Sequence, residues 1–331
     1  MRIDVVIPTF NREELLRRTL ESLLAAKRPE GLDLRVTVVD NDSTDGTRMV
    51  VQQFQPRFDG RLAYLLETRR GRSNALNAGV ASGSGDFVGM IDDDEEVCAE
   101  WFVAIKDSLS NNKIDFLGGP CLPRWGADPP VWLPRTHRGV IGWVENESVV
   151  TPYGRDSVGI LMGGNSVIRR AVLEKVGGYS AKLGRSEKHL LSCEDEEMYQ
   201  RLLDAGATGL YLPSMAIYHY VPPERLTRAY HRRWSFWRGA SLGVLDRERP
   251  SPVKYLFGVP RYLFGNAARG FIGVAKGLFG GSNASDRFSR ELAVWDLAGF
   301  FYGKHFFRAG KPAGGEAIGG VSPASTSNSH F

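Results

Sequence analysis

Two short acidic stretches hold residue types from which catalysis can be built. In VGMIDDDEEV, Val88 to Val97, an apolar run that reads as a buried strand ends in Asp92, Asp93 and Asp94, with Glu95 and Glu96 directly behind. Carboxylates this crowded repel one another unless a positive charge lies among them. In CEDEEMYQRLLDAG, Glu194, Asp195, Glu196 and Glu197 follow Cys193 and open a helical pattern. A plain reading stands beside both stretches, because acids favour the first turn of a helix whatever its function.

The elements that must position these acids are legible around them. Apolar runs rich in β-branched residues alternate with helical patterns through the first third, which argues for βαβ units and a parallel sheet. IDVVIP leads into a helix opened by Asn11 as N-cap, with Glu14 at the capping-box position and Leu15, Leu16, Leu20, Leu23 and Leu24 on its apolar side. LRVTVVD precedes a helix from about Thr44, LAYLLE precedes a helix over Arg72 to Ala81, and DFVGMID ends at the aspartates before a helix from about Ala99. The polar clusters thus follow strand C-termini, where open α/β sheets bind ligands and helix N-termini offer unpaired N–H groups to anions. Residues 119–159, rich in Pro, Gly and Trp, read as a long functional loop or a short β insertion.

Composition sets the outer limits. At 331 residues, 42% hydrophobic and 24% charged, the chain is long for one domain, so a large domain with an appendage is expected. A formal net charge of +4 is too mild to argue for nucleic acid. Cys98, Cys121 and Cys193 form no Cys-x-x-Cys pair, so neither a disulfide framework nor a structural zinc site is indicated and a reducing compartment fits best. MRIDVVIPTF lacks the features of a signal peptide and no run reaches bilayer-spanning length, so the expected location is the cytoplasm.

The common nucleotide motifs are missing. GVASGSGD precedes a strand instead of following one, and no glycine-rich loop ends in Lys-Ser or Lys-Thr. What remains are short polar turns: PTFNR after the first strand, VDNDSTDGT after the second, RRGRSNALNAG after the third and the aspartates after the fourth. In this order they resemble the nucleotide-diphosphate-sugar domain of family 2 glycosyltransferases, the inverting group with the GT-A fold. MGGNSVIRRAVLEKVGGY is similar to that family's acceptor-side segment, CEDEEMYQRLLDAG to its base-bearing helix, and IYHYVPPERLTRAY to the strand and helix that close the site. The resemblance covers roughly residues 1–245, and the joint order of these segments is more specific than any one of them.

The resemblance implies an α/β GT-A fold, a mostly parallel central sheet flanked by helices, with a helical C-terminal extension. It implies transfer of a sugar from a nucleotide-diphosphate sugar to a hydroxyl of a glycan or lipid-linked acceptor, in polysaccharide or cell-envelope glycan assembly. The positive charge among the aspartates would then be Mg2+ or Mn2+, held by few carboxylates together with phosphate oxygens and water. In this Asp-x-Asp (DXD) pattern Asp92 and Asp93 would face ribose and nucleotide, while Asp94 would touch the metal, with His219 completing the metal or diphosphate site. Pro8, Thr9, Asn11 and Arg12 would form the first donor-contacting turn, Asp40 and Asn41 would read the base, and Arg72 would reach base or diphosphate. Many members carry two acids where this chain has Asp40 followed by Asn41. Inversion needs a base opposite the diphosphate; the family's Glu-Asp pair maps it to Asp195, with Glu194 holding the acceptor or orienting Asp195. Gly163, Gly164, Asn165 and Trp132 would lie on the acceptor side.

Bland alternatives stand beside several of these roles. Asn11 as a helix cap, Arg72 as an exposed helix start, His219 as a core histidine, Gly163 and Gly164 as packing glycines, and Trp125, Trp132 or Trp143 as a small core fit the same residues. DNDSTDG serves equally as a plain turn, with Asp42 and Asp45 capping the next helix.

The C-terminal part is read by composition. Arg225, Arg228, Arg232, Arg233 and Arg238 interleave with Tyr230, Trp234, Phe236 and Trp237, which suits an anionic membrane surface, a lipid-linked diphosphate or an ordinary domain-covering helix. Lys254, Arg261, Arg269 and Lys276 fall near one helical face opposite Leu256, Leu263, Phe271 and Leu278, although Pro260 and several glycines should break that helix. Peripheral attachment at the inner face of the membrane is the favoured expectation. The chain then divides into a nucleotide-sugar-binding βαβ half (1–118), an acceptor-side half of the same catalytic domain (119–223), a basic and aromatic helical extension (224–308) and a disordered tail (309–331). Rival readings are a sugar-phosphate nucleotidyltransferase, whose Gly-rich first turn is replaced here by PTFNR, and a catalytically silent membrane-docked binding module.

Overall fold

A computed structural model of the protein describes residues 1–111, 113–134, 138–156, 159–180, 193–278 and 284–307. The first strand, β1 (Arg2–Thr9), is followed by α1 (Glu13–Ala25), β2 (Asp33–Asp40), α2 (Thr47–Phe54), β3 (Leu62–Leu66), α3 (Arg72–Ser82) and β4 (Phe87–Met90). Alternation along β1 sends Ile3, Val5 and Ile7 into the core beneath α1, α2 and the later α4, while Val6 joins the opposite core with Ala75 and Leu76 of α3. Both faces of the sheet are therefore covered, which is why these strands read as nearly continuous apolar runs. Strands β1, β2, β3 and β4 pair in parallel, so their C-termini share one edge. Helix α3 sits unusually close to that sheet, because a β-carbon on Gly79 would come within 2.3 Å of Val6.

After the aspartates come β5 (Glu95–Val97), α4 (Trp101–Asn111), β6 (Phe116–Gly118), β7 (Cys121–Trp125), β8 (Thr151–Pro152), β9 (Ser166–Arg169), α5 (Arg170–Val176), α6 (Glu194–Asp204), β10 (Gly209–Tyr211) and β11 (Ile217–Val221). The main sheet runs β3-β2-β1-β4-β9-β6-β10-β8, with β9 antiparallel to both β4 and β6 and β8 antiparallel to β10. A smaller sheet, β5-β11-β7, pairs Glu95 with His219 across an antiparallel ladder. Residues 119–159 thus contribute strands to both sheets, in line with the β-insertion alternative.

The C-terminal part consists of α7 (Arg228–Glu248), the hairpin β12 (Tyr255–Leu256) and β13 (Val259–Pro260), α8 (Arg261–Leu278) and α9 (Ala284–His305). Glycines were expected to interrupt α8; instead the helix runs unbroken, and its only proline of this segment ends the preceding strand. Gly270 and Gly273 face Arg290 of α9 so closely that a β-carbon would lie 2.3 Å and 2.4 Å from it. Close approach to a neighbouring helix thus offsets their weak helix propensity. The same holds between α7 and α9, where Gly239 and Gly243 face the α9 backbone at Asp296 and Phe300, and Gly299 and Gly303 face the α7 backbone at Phe236 and Ala240. Among the described residues no helix is long and apolar enough to cross a membrane. The expected disordered tail, 309–331, lies outside the described residues.

Candidate active site

The shared C-terminal edge of β1 to β4 gathers the polar turns. Thr9, the last residue of β1, donates its Oγ1 hydrogen to Asp93 Oδ2 at 2.8 Å. Arg12 Nη1 donates to Asp93 Oδ1 at 2.9 Å and to Asp94 Oδ2 at 3.0 Å. The Thr19 hydroxyl of α1 donates to the Asp93 carbonyl at 2.9 Å and fixes the aspartate turn from behind. Arg72, the first residue of α3, donates from Nε to Asp92 Oδ1 at 2.8 Å and from Nη1 to Asp195 Oδ1 at 3.1 Å, with Glu194 Oε1 3.5 Å away. One guanidinium therefore joins the two acidic stretches singled out at the start.

A second basic group closes the opposite side. Arg225 Nη2 and His219 Nε2 each lie 3.6 Å from Asp94 Oδ2. Arg225 Nη1 donates to His219 Nε2 at 2.9 Å, and His219 Nδ1 faces the Ile141 carbonyl at 3.0 Å. A guanidinium has only donors, so Nε2 must carry the lone pair and Nδ1 the proton. His219 is then neutral, and the positive charge among the aspartates in this structure is that of Arg12, Arg72 and Arg225.

Burial and these charges set the ionisation of the cluster. Burial pushes the Asp93 carboxyl up to about 6, against the pull of Arg12. Burial also opposes the charge on Asp94, but the Arg12 and Arg225 guanidiniums, 3.0 Å and 3.6 Å from its Oδ2, hold that carboxyl well below the usual range. Glu95 is raised well above the usual carboxylate range, by burial first and by Asp92 and Asp94 next. Its Oε2 accepts the Asp92 N–H at 2.8 Å.

A hard divalent cation suits this donor set. Asp94 Oδ2 and His219 Nε2 lie 3.6 Å apart, and the Nδ1–H contact to a backbone carbonyl is the outer contact that orients a ligating imidazole, but Arg225 Nη1 holds the Nε2 lone pair here and would have to move aside for a cation. Among the described residues no group of three or more His, Cys, Asp or Glu side chains forms a metal cage. Phosphate oxygens and water would have to complete the shell, as hard cations allow.

Several expected site residues are used in other ways. Asn11 does not cap α1; it sits at φ 52° and its Oδ1 accepts the Thr44 N–H at 2.7 Å. Asp45 takes over, accepting the Glu13 N–H at 3.1 Å and the Thr47 N–H at 3.0 Å, so the second turn caps both α1 and α2. Asn41 is buried and spends its amide on the carbonyls of Glu67 and Arg69 and on the Gly71 N–H, bracing the turn that leads into Arg72. Asp40 accepts from the Ser43 N–H and the Tyr64 hydroxyl; burial and that carboxylate push the Tyr64 hydroxyl up to about 12. Pro8 pairs beside Val39 inside the sheet.

On the acceptor side, Gly163 and Gly164 are close-approach positions, but carboxylates are what approach them. A β-carbon on Gly163 would lie 1.9 Å from Asp195 Oδ1, and one on Gly164 2.2 Å from Glu95 Oε1. Asn165 is fully buried, donating to the Pro120 and Met215 carbonyls and accepting from Trp101 Nε1, so it braces the two sheets instead of lining a cleft. Trp132, half-buried, packs edge-on against His231 and Phe288, between the insertion and the C-terminal helices. Trp125 and Trp143 likewise pack on each other.

Arg225 and Glu95 escaped the sequence reading as site residues. Arg225 had been grouped with the basic helix, yet it is buried and lies in a short turn, Pro223–Leu226, ahead of α7. Pro222 and Pro223 were the available signal, since a proline pair separates strand from helix. Of the other arginines, Arg232 pairs with Glu291 at 2.5 Å and Arg238 with Asp296 at 3.1 Å on α9, while Arg228 and Arg233 are exposed.

The sheet order is that of a GT-A-like α/β fold. The mannosyltransferase PcManGT from Pyrobaculum calidifontis, solved with GDP-Man and Mn2+, superposes with a TM-score of 0.60 at 20% identity over 91% of this chain and 86% of that one. S. aureus TarS residues 1–349 with UDP superposes with a TM-score of 0.51 at 17% identity over 92% and 89% of the two chains. Residues 4–177 match the family described as Glycosyl transferase family 2, and the chain belongs to that family. It is 26% identical over 262 residues to the succinoglycan biosynthesis protein ExoM of Rhizobium meliloti, covering 78% of this chain and 80% of the relative. It is 29% identical over 252 residues to the glucosyl-dolichyl phosphate glucuronosyltransferase of Haloferax volcanii, covering 74% and 78%.

Proposed function

We propose that the protein is an inverting, metal-dependent glycosyltransferase that moves a sugar from a nucleotide-diphosphate sugar to a hydroxyl of a glycan or lipid-linked acceptor during polysaccharide or cell-envelope glycan assembly. The observation that carries this reading is Arg72, which spans from Asp92 at 2.8 Å to Asp195 at 3.1 Å, so that a donor-side acid and a candidate base meet one guanidinium. The relatives named for succinoglycan biosynthesis and for transfer to a glucosyl-dolichyl phosphate support the acceptor class.

In this mechanism Thr9, Arg12 and Asp93 hold the donor's nucleotide end. The guanidinium forks of Arg12, Arg72 and Arg225 offer paired N–H donors to the diphosphate oxygens. Bound Mg2+ or Mn2+, held by Asp94 and His219, would supply Lewis-acid stabilisation of the departing diphosphate. Asp195 accepts the proton of the acceptor hydroxyl as its oxygen bonds to the anomeric carbon and the bond from that carbon to the diphosphate breaks on the opposite face, inverting the centre. Glu194 keeps Arg72 near Asp195, and Gly163 leaves room for the carboxylate to turn toward the acceptor. The C-terminal helices bring this site to the inner face of the membrane, where lipid-linked acceptors lie.

Thermal stabilisation across a panel of nucleotides and nucleotide sugars, with and without Mn2+, tests the reading. A nucleotide diphosphate sugar should raise Tm in a metal-dependent way. A panel without any stabilising member, or equal stabilisation by free sugar phosphates, would refute it.

A further inference from the structure

Of the arginines expected to meet a membrane, Arg225 is buried and Arg232 and Arg238 pair with α9, while Arg228 and Arg233 stay exposed on α7. A surface that combines basic with apolar exposure lies on the hairpin β12–β13 and the outward side of α8. From Arg249 to Ala284 the sequence has no Asp or Glu, while Arg249, Lys254, Arg261, Arg269 and Lys276 are all basic. Apolar side chains stand exposed in the same segment: Phe257 at 76% and Phe271 at 72%, with Leu256, Tyr262 and Ile272 about half exposed.

The geometry holds this surface ready. Phe257 and Gly258 form the tip with φ of 50° and 72°, a turn that favours Asn or Gly at both positions. A bulky aromatic at positive φ is an outlier that local packing does not reward, since its ring faces solvent. The tip is fastened from behind: His305 Nε2 of α9 contacts the Phe257 carbonyl at 3.0 Å, and the Tyr255 hydroxyl donates to Asp246 at 2.5 Å. On α8 the buried positions Ala267, Gly270 and Gly273 recur every third residue, the two glycines against α9, which leaves Arg261, Arg269, Phe271 and Ile272 directed away.

We propose that the β12–β13 hairpin and the outward face of α8 form a docking surface for an anionic lipid bilayer, with Leu256, Phe257, Phe271 and Ile272 entering the headgroup boundary and Lys254, Arg261 and Arg269 meeting acidic headgroups. Exposed apolar groups beside cations on an acid-free segment are what such a boundary stabilises. A second copy of the chain on this patch would set cation against cation, and a nucleic-acid backbone would leave the aliphatic side chains without benefit. The proposal rests on the membrane-side placement read above and says which surface provides it.

The test is co-sedimentation of the full chain with vesicles of phosphatidylcholine alone or mixed with phosphatidylglycerol, at low and high salt and without donor. The expected result is binding to the mixed vesicles, weakened by salt. Phe257→Asn with Ile272→Ser, and separately Arg261→Glu with Arg269→Glu, should each lower binding by about tenfold or more. Asn suits the positive φ, so the first variant should keep its melting temperature. The proposal is overturned if wild type stays in the supernatant with both vesicles, if the variants sediment like wild type, or if the substitutions instead abolish self-association or duplex DNA binding. Nucleotide-sugar stabilisation of the same variants should be unchanged, so failure of the docking surface and failure of the transferase reading give different results.

Discussion

Around Asp92, Asp93 and Asp94 the chain buries carboxylates and guanidiniums side by side, whereas at the α7–α9 crossing it brings glycine faces together. The first region gains little net stability, because desolvating charges offsets much of their attraction. What it gains is a set of oriented donors and acceptors whose charges already suit a diphosphate. The second region is held by backbone proximity and dispersion, with ion pairs such as Arg232–Glu291 at its rim. Substitutions should therefore separate activity from stability according to the region they touch.

The sharpest separation is expected at Asp195. Asp195→Asn should reduce transfer by about 10³-fold, the usual scale for losing a general base, while its melting temperature stays within a degree or two of wild type. An equally large stability loss would erase the contrast. At the other end, Gly299→Leu should destabilise by about 3 kcal/mol in denaturant melts, because even a β-carbon there would lie 1.8 Å from the Phe236 carbonyl. Nucleotide-sugar affinity per folded molecule should stay unchanged.

Arg225→Leu is intermediate and belongs to both sides of the comparison. It leaves Asp94 with Arg12 but removes the donor to His219, so we expect about 2 kcal/mol of lost stability together with weakened donor binding. Loss of either effect without the other would place Arg225 on one side alone. The smallest effect concerns pH. Burial opposes the charge on Asp246, but Lys304, Tyr255 and the Ser251 N–H hold its carboxyl below the ordinary value. Its contribution is thus present above about pH 4 and lost as pH falls toward its folded value. The melting difference between wild type and Asp246→Asn should be constant near neutrality and narrow below about pH 4; a difference that widens in acid would reverse the sign.

What was readable in the sequence followed the same division. Strands β1, β2 and β4, helix α3 and the aspartate turn depend on local patterns of apolar and polar residues, and the structure has them where the patterns put them. Site residues that act through distant partners were harder. Asn41 bonds to a turn reached 26 to 30 residues later, and Arg225, which follows β11, meets an aspartate that precedes the paired strand β5, far away in sequence, so neither role leaves a local mark. The C-terminal helices were obscured for another reason. Helix α9 buries Gly299 and Gly303 beside Phe288, Leu292 and Phe300, so its hidden face is partly glycine and its apolar period is diluted. The glycines that suggest breaks along α8 are the residues that let it pack.

Calorimetric donor binding and transfer rate, measured together for wild type, Asp94→Asn and Asp195→Asn with Mn2+ present, test the central claim most directly. The account predicts that Asp195→Asn binds the nucleotide sugar as wild type does yet transfers about 10³-fold more slowly, while Asp94→Asn loses donor affinity. Near-normal transfer by Asp195→Asn, or undiminished donor binding by Asp94→Asn, would contradict it.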